Sequence, residues 1–366
     1  NPTKALAGFL RGCGEGVTAA DVEKRETEKG TFVFYTMKKP AQSVKELLTC
    51  EISNMIDGLS WPKSMRWGNG KLRWVRPLRA ILCRFDGEIV PFEVDGLVSG
   101  GVTYGHRFMV PDEIEIRFAD EYAVKLEAAK VLADSVQRQQ RIAEQAHALA
   151  KAEGFVLNED DALLRETAGL VEWPMALIGK IDDAFMEVPE EVLVSVMRTH
   201  QKYFTLRDPK SGKLAPRFIT ISNMETADKG AAIIDGNERV LRARLSDGKF
   251  FWDQDRKSSL EDRLPELDKI IFHAKLGTVR EKAQRIETLS NHLSDALGAD
   301  AKTAKEAARL CKADLVSSMV YEFPELQGVM GGYYAEDAAA GVAIREHYSP
   351  LGPDDNIPSS PEGCAV

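Results

Sequence analysis

The pattern of apolar residues changes near residue 260, and this change limits the fold more than any other feature of the sequence. Residues 61–260 alternate short runs rich in β-branched and aromatic side chains with segments of helical periodicity. From His273 onward, almost every apolar position recurs at helical spacing, and one such stripe ends at Gly298. The sequence therefore predicts an α+β fold, with a mixed α+β body followed by an all-helical region.

Three domains are predicted along the 366 residues, more than one hydrophobic core usually organises. Residues 1–60 form a short α/β lead-in, with helices near 4–11 and 44–56 and a strand near 31–37. Residues 61–260 form the α+β body, and residues 265–366 form the helical domain. The apolar Gly-Cys-Ala-Val terminus leads us to expect that this last domain is truncated.

Turn and cap residues place several elements within the body. The dipeptides Asp86-Gly87, Asp95-Gly96 and Gly100-Gly101 are typical of β-hairpins. Residues 121–153 contain neither Gly nor Pro, so they predict one long helix that Gly154 ends.

The composition favours a cytoplasmic protein that does not enter a membrane. No apolar run approaches the roughly 20 residues that a bilayer span requires. The five cysteines are scattered without paired spacing, which fits a reducing compartment. The net charge of -9 argues against nucleic-acid binding along the whole length.

Charge is distributed unevenly, however. Residues 61–85 contain seven basic and no acidic residues, and residues 198–257 contain thirteen basic and eight acidic residues. Residues 111–166 show the reverse, with thirteen acidic and seven basic residues. Because local charge decides where a polyanion docks, the two basic stretches are candidate nucleic-acid surfaces.

Several catalytic signatures are absent from the sequence. It contains no GxxxxGK[ST] phosphate loop and no GxGxxG, HExxH or GxSxG motif, and its cysteines form no metal-binding pairs. We therefore expect no catalytic residue, no metal site and no ATP site in this chain.

The densest polar cluster is Arg198-Thr-His-Gln-Lys-Tyr-Phe204. Arg198, His200 and Lys202 suit phosphate or ribose contacts, and Tyr203 suits base stacking. The alternative is a helix end followed by a strand, with Tyr203 and Phe204 in the core.

Three further segments contain candidate contact residues. Arg239 and Arg242 are three residues apart and share a helical face, with Arg244 offset, although a solvated amphipathic helix explains the same spacing. Arg66 lies among cations interleaved with tryptophans, a pattern that also occurs in strands with a buried aromatic face. His106 and Arg107 form a pair at the end of a β segment, which is weak support for a site.

These same segments resemble the β subunit of the heterotetrameric glycyl-tRNA synthetases. The similar motifs occur in the family's order: Lys63-Ser-Met-Arg-Trp-Gly68, Gly105-His-Arg-Phe108, Arg198-Thr-His-Gln-Lys-Tyr-Phe204, Asn237-Glu-Arg-Val-Leu-Arg-Ala-Arg-Leu-Ser-Asp247, and Cys311-Lys-Ala-Asp-Leu-Val316 with Glu322-Phe-Pro-Glu-Leu-Gln-Gly328.

The resemblance implies an α2β2 enzyme that joins glycine to tRNA-Gly with ATP and Mg²⁺, with the aminoacylation site in the α subunit. The β subunit of that family binds and positions the tRNA, and its anticodon-binding domain would follow Val366. The resemblance also implies an editing-module-like body. The implied tRNA contacts are Arg66, His106, Arg107, Arg198, His200, Lys202, Tyr203, Arg239, Arg242 and Arg244.

Two alternative functions follow from the same resemblance. The helical domain is similar to HD phosphohydrolases, whose metal is held by a separate His, a His-Asp dyad and a later Asp. Here Ala313 stands where the dyad histidine is expected, which leaves only His273 and Asp314 as degenerate positions. Aminoacyl-tRNA editing is the other alternative, but glycine has no smaller competitor that would require it.

Overall fold

The computed structural model describes residues 3–28, 30–37 and 41–366. The chain divides into two compact units, the first comprising Asn1–Thr103 with Glu113–Glu121 and the second Tyr104–Asp112 with Tyr122–Val366. The predicted lead-in at 1–60 includes residues 1, 2, 29 and 38–40, which lie outside the described residues. The chain contains both helices and strands, which confirms the predicted α+β class, and the part after Thr278 is helical.

The first unit consists of short elements. They are α1 (Lys4–Cys13), β1 (Glu23–Thr27), β2 (Gly30–Phe34), α2 (Val44–Gly58), β3 (Ile81–Leu82), β4 (Arg84–Phe85), β5 (Glu88–Ile89), β6 (Glu93–Val94), β7 (Leu97–Gly100), β8 (Val102–Tyr104), β9 (Glu113–Glu115) and α3 (Ala119–Ala128). Both β8 and α3 run across the division into the second unit.

Two of the three predicted hairpin turns are confirmed. Asp86-Gly87 joins β4 to β5 and Asp95-Gly96 joins β6 to β7, with positive φ at all four residues, as a type I′ turn requires. The hairpin predicted at Gly100-Gly101 is wrong. The strand before it, β7, pairs with β3 and β6, and the strand after it, β8, pairs with β9. The core of this unit contains Leu72, Val90, Phe92 and Val94.

In the second unit, α3 is followed by a separate helix, α4 (Ser135–Ala152), and the two do not form one long helix. The predicted helix over 121–153 is wrong because the chain breaks between α3 and α4. Lys130 adopts a left-handed φ of 63°, and the Asp134 side chain accepts a hydrogen bond from Val136 N to cap α4. Gly154, with φ 79°, follows the end of α4 as predicted.

A four-stranded antiparallel sheet forms the centre of the second unit, in the order β10-β12-β13-β11. The elements of this region are β10 (Val156–Leu157), α5 (Asp161–Ala168), β11 (Met175–Lys180), α6 (Glu190–Ser195), β12 (Phe204–Arg207), β13 (Leu214–Ser222) and α7 (Ala231–Asp255). Neighbouring residues of β13 enter different cores, because side chains alternate along a strand. Phe218 packs with Leu193 and Leu241, whereas Ile219 packs with Ile142 and Leu163.

Helices of 4 to 19 residues follow α7, with one small two-stranded ribbon among them. The elements are α8 (Leu260–Arg263), β14 (Ile271–His273), β15 (Gly277–Thr278), α9 (Val279–Leu297), α10 (Ala301–Leu310), α11 (Ser318–Glu322), α12 (Val329–Tyr334), α13 (Ala338–Glu346) and α14 (Pro361–Ala365). The predicted stripe ends as expected, with Gly298 at φ 68° capping α9. Small side chains such as Ala307, Ala340 and Ala343 form much of the core here.

Candidate nucleic-acid interface

The segment Arg198–Phe204 spans the end of a helix and the start of a strand. Helix α6 continues into a π-helical turn, Val196–Gln201, and Lys202 then adopts a left-handed φ of 59° before β12 begins. π-Helical turns are rare and occur often at functional sites. The turn leaves Arg198 and His200 exposed while Val196 and Met197 are buried.

Arg198 lies against Asp160 at the start of α5. Its Nε donates a short hydrogen bond to Asp160 Oδ2, and its Nη2 donates to Oδ1 at 3.3 Å. Burial alone would raise the pKa of Asp160, but the hydrogen bonds from Arg198 and from Leu163 N lower it below its ordinary value. Lys202 forms a similar pair with Glu166, at 2.8 Å between Nζ and Oε1. A phosphate at this edge would therefore compete with carboxylates for both cations.

Tyr203 belongs to the core. Only 3% of the residue is exposed, its ring stacks on Phe218 at 4.6 Å between centroids, and burial raises its pKa to about 12. The predicted stacking platform is thus corrected: the ring has no face open to a base, and the alternative that places Tyr203 and Phe204 in the core describes this structure.

The three arginines of α7 lie in different surroundings. Arg239 pairs with Asp235 one turn earlier, and Arg242 pairs with Asp182, each at 2.6 Å. The hydrogen bond from Arg242 lowers the pKa of Asp182. Arg244, the residue predicted to be offset, has no hydrogen bond or ion pair with any residue that the structure describes.

His200 and Arg244 meet at a cavity of about 290 Å³. The sequence motifs that contain these residues are thus brought together. The cavity is lined by Val196, His200, Arg244, Asp247, Phe251, Glu322 and Phe323. No role is predicted from the sequence for Asp247 or Glu322, although Asp247 is the last residue of one family-like motif and Glu322 is the first residue of another.

His106 is corrected from a tRNA contact to a structural residue. It is 1% exposed, its Nε2 donates to the backbone oxygen of Asn223 at 2.7 Å, and its Nδ1 accepts from the backbone N of Phe108 and Met109. A buried imidazole with both nitrogens occupied cannot contact RNA. Arg107 beside it is exposed, 5.6 Å from the centre of the Phe108 ring.

Arg66 lies in the first unit and is exposed. The tryptophans around it are only partly exposed: Trp67 and Trp74 pack against the core of the unit, and Trp61 contacts Trp74 edge-on at 5.0 Å. The cations of this stretch thus remain candidates for RNA contact, whereas these rings serve packing.

The two degenerate positions of the HD-like pattern have other roles. Asp314 is fully buried, and its Oδ2 accepts hydrogen bonds from Gly328 N at 2.6 Å and Gly331 N at 3.0 Å. Burial raises its pKa to about 6. His273 is exposed, and its Nδ1 accepts from Lys275 N. In the part of the chain that the structure describes, no cluster of three or more His, Cys, Asp or Glu side chains could hold a metal ion.

The fold and the exposed side chains define an α+β protein with a surface of paired cations and carboxylates beside a mixed-charge cavity. The family model described as "Glycyl-tRNA synthetase beta subunit" matches residues 1–366. The chain therefore belongs to the glycyl-tRNA synthetase beta subunit family.

Curated relatives agree over the whole chain. Proteins named "Glycine--tRNA ligase beta subunit" from Rhodospirillum centenum, Phenylobacterium zucineum and Ruegeria sp. are 47%, 49% and 47% identical to it. Each match covers all of this chain and 55% of the relative, so the chain spans about half the length of these relatives. Within the described residues, no helix has the length and apolar character needed to cross a membrane.

Proposed function

We propose that this chain acts in glycyl-tRNA synthesis as a tRNA-binding part of a β subunit. In this proposal the β subunit positions tRNA-Gly, while an α subunit activates glycine with ATP and Mg²⁺ and transfers it to the tRNA. The two subunits assemble as α2β2 in the cytoplasm. The observation that supports this most strongly is the family match over all 366 residues.

The exposed cations support an RNA-binding role. The side chains of Arg198, Arg239 and Arg242 are 47%, 74% and 51% exposed, so a phosphate can reach all three. Their carboxylate partners are exposed or partly exposed, and such surface pairs contribute only about 0–1 kcal/mol each. Phosphates can therefore displace them at little cost. With His200, Lys202 and Arg244, they form the proposed contact surface of the second unit.

The alternative functions receive less support. A metal-dependent phosphohydrolase needs open ligands, but Asp314 is buried and its Oδ2 is occupied by two backbone N–H groups. Editing is needed when the synthetic site cannot exclude a competing amino acid. A glycine site limited by size excludes every larger amino acid, and glycine has no smaller competitor.

Mixing the chain with purified α subunit tests the proposal. We expect the chain alone to bind tRNA-Gly in a fluorescence-anisotropy titration but to catalyse no glycine-dependent pyrophosphate exchange. Glycylation of tRNA by the α subunit should increase when the chain is added. Pyrophosphate exchange by the chain alone would overturn the division of labour.

The same preparations separate the alternatives. Release of phosphate from nucleotides with added Mn²⁺ would indicate a phosphohydrolase, and hydrolysis of mischarged tRNA would indicate editing. Either activity would replace the proposed function if tRNA affinity were absent.

A further inference from the structure

Two adjoining cavities form a groove in the second unit. The cavity that contains His200 and Arg244 shares the walls Phe251 and Glu322 with a second cavity of about 450 Å³. The second cavity is lined by Phe251, Leu315, Val316, Ser317, Ser318, Tyr321 and Glu322. Volumes of about 300–1,000 Å³ are usual for small-molecule sites, so each cavity has room for about one planar ring system with its substituents.

The ionisable groups of the groove are unpaired, in contrast to their neighbours. Elsewhere on α7, Arg239 and Arg242 both bond carboxylates. The side chains of His200, Arg244, Asp247 and Glu322 form no hydrogen bond or ion pair with any described residue, although all four line one cavity. Polar groups that converge on a cavity without satisfying each other are available to a ligand.

Aromatic rings lie beside these polar groups. Tyr321 is 86% exposed, although large aromatic residues usually bury most of their surface. Phe251 forms the wall between the two cavities, and Phe323 supports the His200 ring edge-on at 5.9 Å. An exposed ring at the rim of a groove is the arrangement on which unpaired bases stack.

The mixture of charges narrows the ligand class. One guanidinium faces two carboxylates, so the groove does not suit a ligand that is only anionic, such as pyrophosphate. A nucleotide of a single RNA strand offers both kinds of partner. Its phosphate or base acceptors suit Arg244, whereas its 2′-hydroxyl and base amino groups donate to Asp247 and Glu322. A base within a duplex is already paired and stacked and cannot enter.

We propose that this groove binds an unpaired ribonucleotide of a single RNA strand, with Tyr321 as the stacking ring and Arg244, Asp247 and Glu322 as the polar contacts. The proposal rests on the proposed function, since it names the part of an RNA that this site recognises. It also replaces the stacking role of the buried Tyr203 with a ring that a base can reach.

Fluorescence anisotropy with three labelled probes tests the proposal: a mixed-sequence single-stranded RNA octamer, the DNA octamer of the same sequence, and a blunt RNA duplex. Stacking lost on alanine substitution corresponds to about a 5- to 150-fold change in affinity. We therefore expect Tyr321→Ala to weaken single-stranded RNA binding by that factor. Tyr321→Phe keeps the ring and should retain the affinity.

The polar contacts have their own variants. Arg244→Ala should weaken single-stranded RNA binding, whereas Arg165→Ala, which removes an exposed arginine from the acidic stretch of the chain, should not. Glu322→Ala should reduce the preference for RNA over DNA, because the lost carboxylate accepts from the 2′-hydroxyl. Unchanged melting temperatures would confirm that these exposed substitutions leave the fold intact.

The outcomes distinguish this inference from the proposed function. If Tyr321→Ala and Arg244→Ala weaken duplex and single-stranded RNA equally, or change neither, the groove is not the site, while tRNA binding by the unaltered chain still supports the proposed function. If the unaltered chain binds tRNA but no single-stranded RNA, the inference alone fails. If it binds no tRNA at all, both fail.

Discussion

The hydroxyl of Tyr203 donates a hydrogen bond to Oδ1 of Asn237 at 2.5 Å, and this bond joins the two polar motifs of the second unit. The amide of Asn237 is itself fixed, because its Nδ2 donates to the backbone oxygen of Ile233 at 2.7 Å. The motifs are therefore held together by buried and half-buried residues, and the exposed cations lie around this contact.

Tyr203→Phe should lower the free energy of unfolding by about 1 kcal/mol, because it removes a buried hydrogen bond while keeping the ring on Phe218. Urea denaturation gives the value. Tyr321→Phe is the matched control, since an 86% exposed hydroxyl should contribute almost nothing. Equal losses in the two variants would contradict the structural role of Tyr203.

Arg198→Ala should weaken tRNA binding and reduce the slope of log affinity against log salt concentration by about one, as expected for one lost phosphate contact. The variant Asp160→Asn tests the same ion pair from its other side. Asn caps a helix as well as Asp does, so α5 should remain intact, while Arg198 loses its competing carboxylate. We therefore expect Asp160→Asn to strengthen tRNA binding.

Titrations at several salt concentrations measure both effects. If Arg198→Ala leaves the affinity unchanged at every salt concentration, Arg198 is not a contact. If Asp160→Asn and Arg198→Ala weaken tRNA binding to the same extent, binding depends on the intact ion pair and not on a phosphate contact by the free guanidinium of Arg198.

Periodicity predicted the helices better than it predicted which faces are buried. The apolar stripe of α9 placed that helix correctly, yet Leu289 and Leu293 are 61% and 45% exposed. The buried face contains Val279 from the stripe, but its other members are the small residues Ala283, Ser290 and Ser294. Small residues allow α10 and α14 to approach closely, and a pattern based on hydrophobicity alone gives them little weight.

The candidate site was predicted in part. The sequence motifs contain His200 and Arg244, which the structure brings to one cavity. The charge pairing was not predictable, because Arg198 and Asp160 are 38 residues apart and local spacing says nothing about such contacts. Likewise, a His-Arg pair in a sequence does not reveal that His106 is buried under Asn223.

Asp255→Ala should destabilise the second unit by about 3 kcal/mol, since it removes a buried carboxylate and leaves two backbone N–H donors without their acceptor. Asp255 is 3% exposed and accepts from Ser318 N at 2.9 Å and Met319 N at 2.8 Å, at the start of α11. Arg263 lies beside it at 3.4 Å.

The neighbouring Asp253→Ala supplies the control for urea denaturation. Asp253 lies on the same helix and forms an exposed pair with Lys249 four residues earlier, so its loss should cost less than about 0.5 kcal/mol. A loss for Asp255→Ala no larger than that for Asp253→Ala would contradict the role assigned to Asp255.

His347 should make the protein less stable in acid. Its Nε2 accepts a hydrogen bond from Lys312 Nζ at 2.7 Å, and its Nδ1 donates to the backbone oxygen of Ile344 at 2.5 Å, an arrangement that requires the neutral ring. Burial, and then the charge of Lys312, lower the pKa of His347 to about 3. Between these two pKa values, His347 therefore binds a proton in the unfolded chain, where its pKa is the ordinary 6.5, but not in the folded chain.

The direction of the pH dependence of stability follows from the number of protons that the unfolded and folded states bind. The stabilisation is complete above the unfolded pKa and is lost as the pH falls from 6.5 towards about 3, at no more than about 1.4 kcal/mol per pH unit. His347→Gln keeps an acceptor for Lys312 but has no proton to gain. Buried Asp314, with its pKa raised to about 6, contributes the opposite slope to both proteins. Urea denaturation across this pH range should therefore show that the unaltered chain loses stability relative to His347→Gln as the pH falls. If the free energies of unfolding of the two proteins change in parallel with pH, His347 is as easily protonated in the folded chain as in the unfolded one.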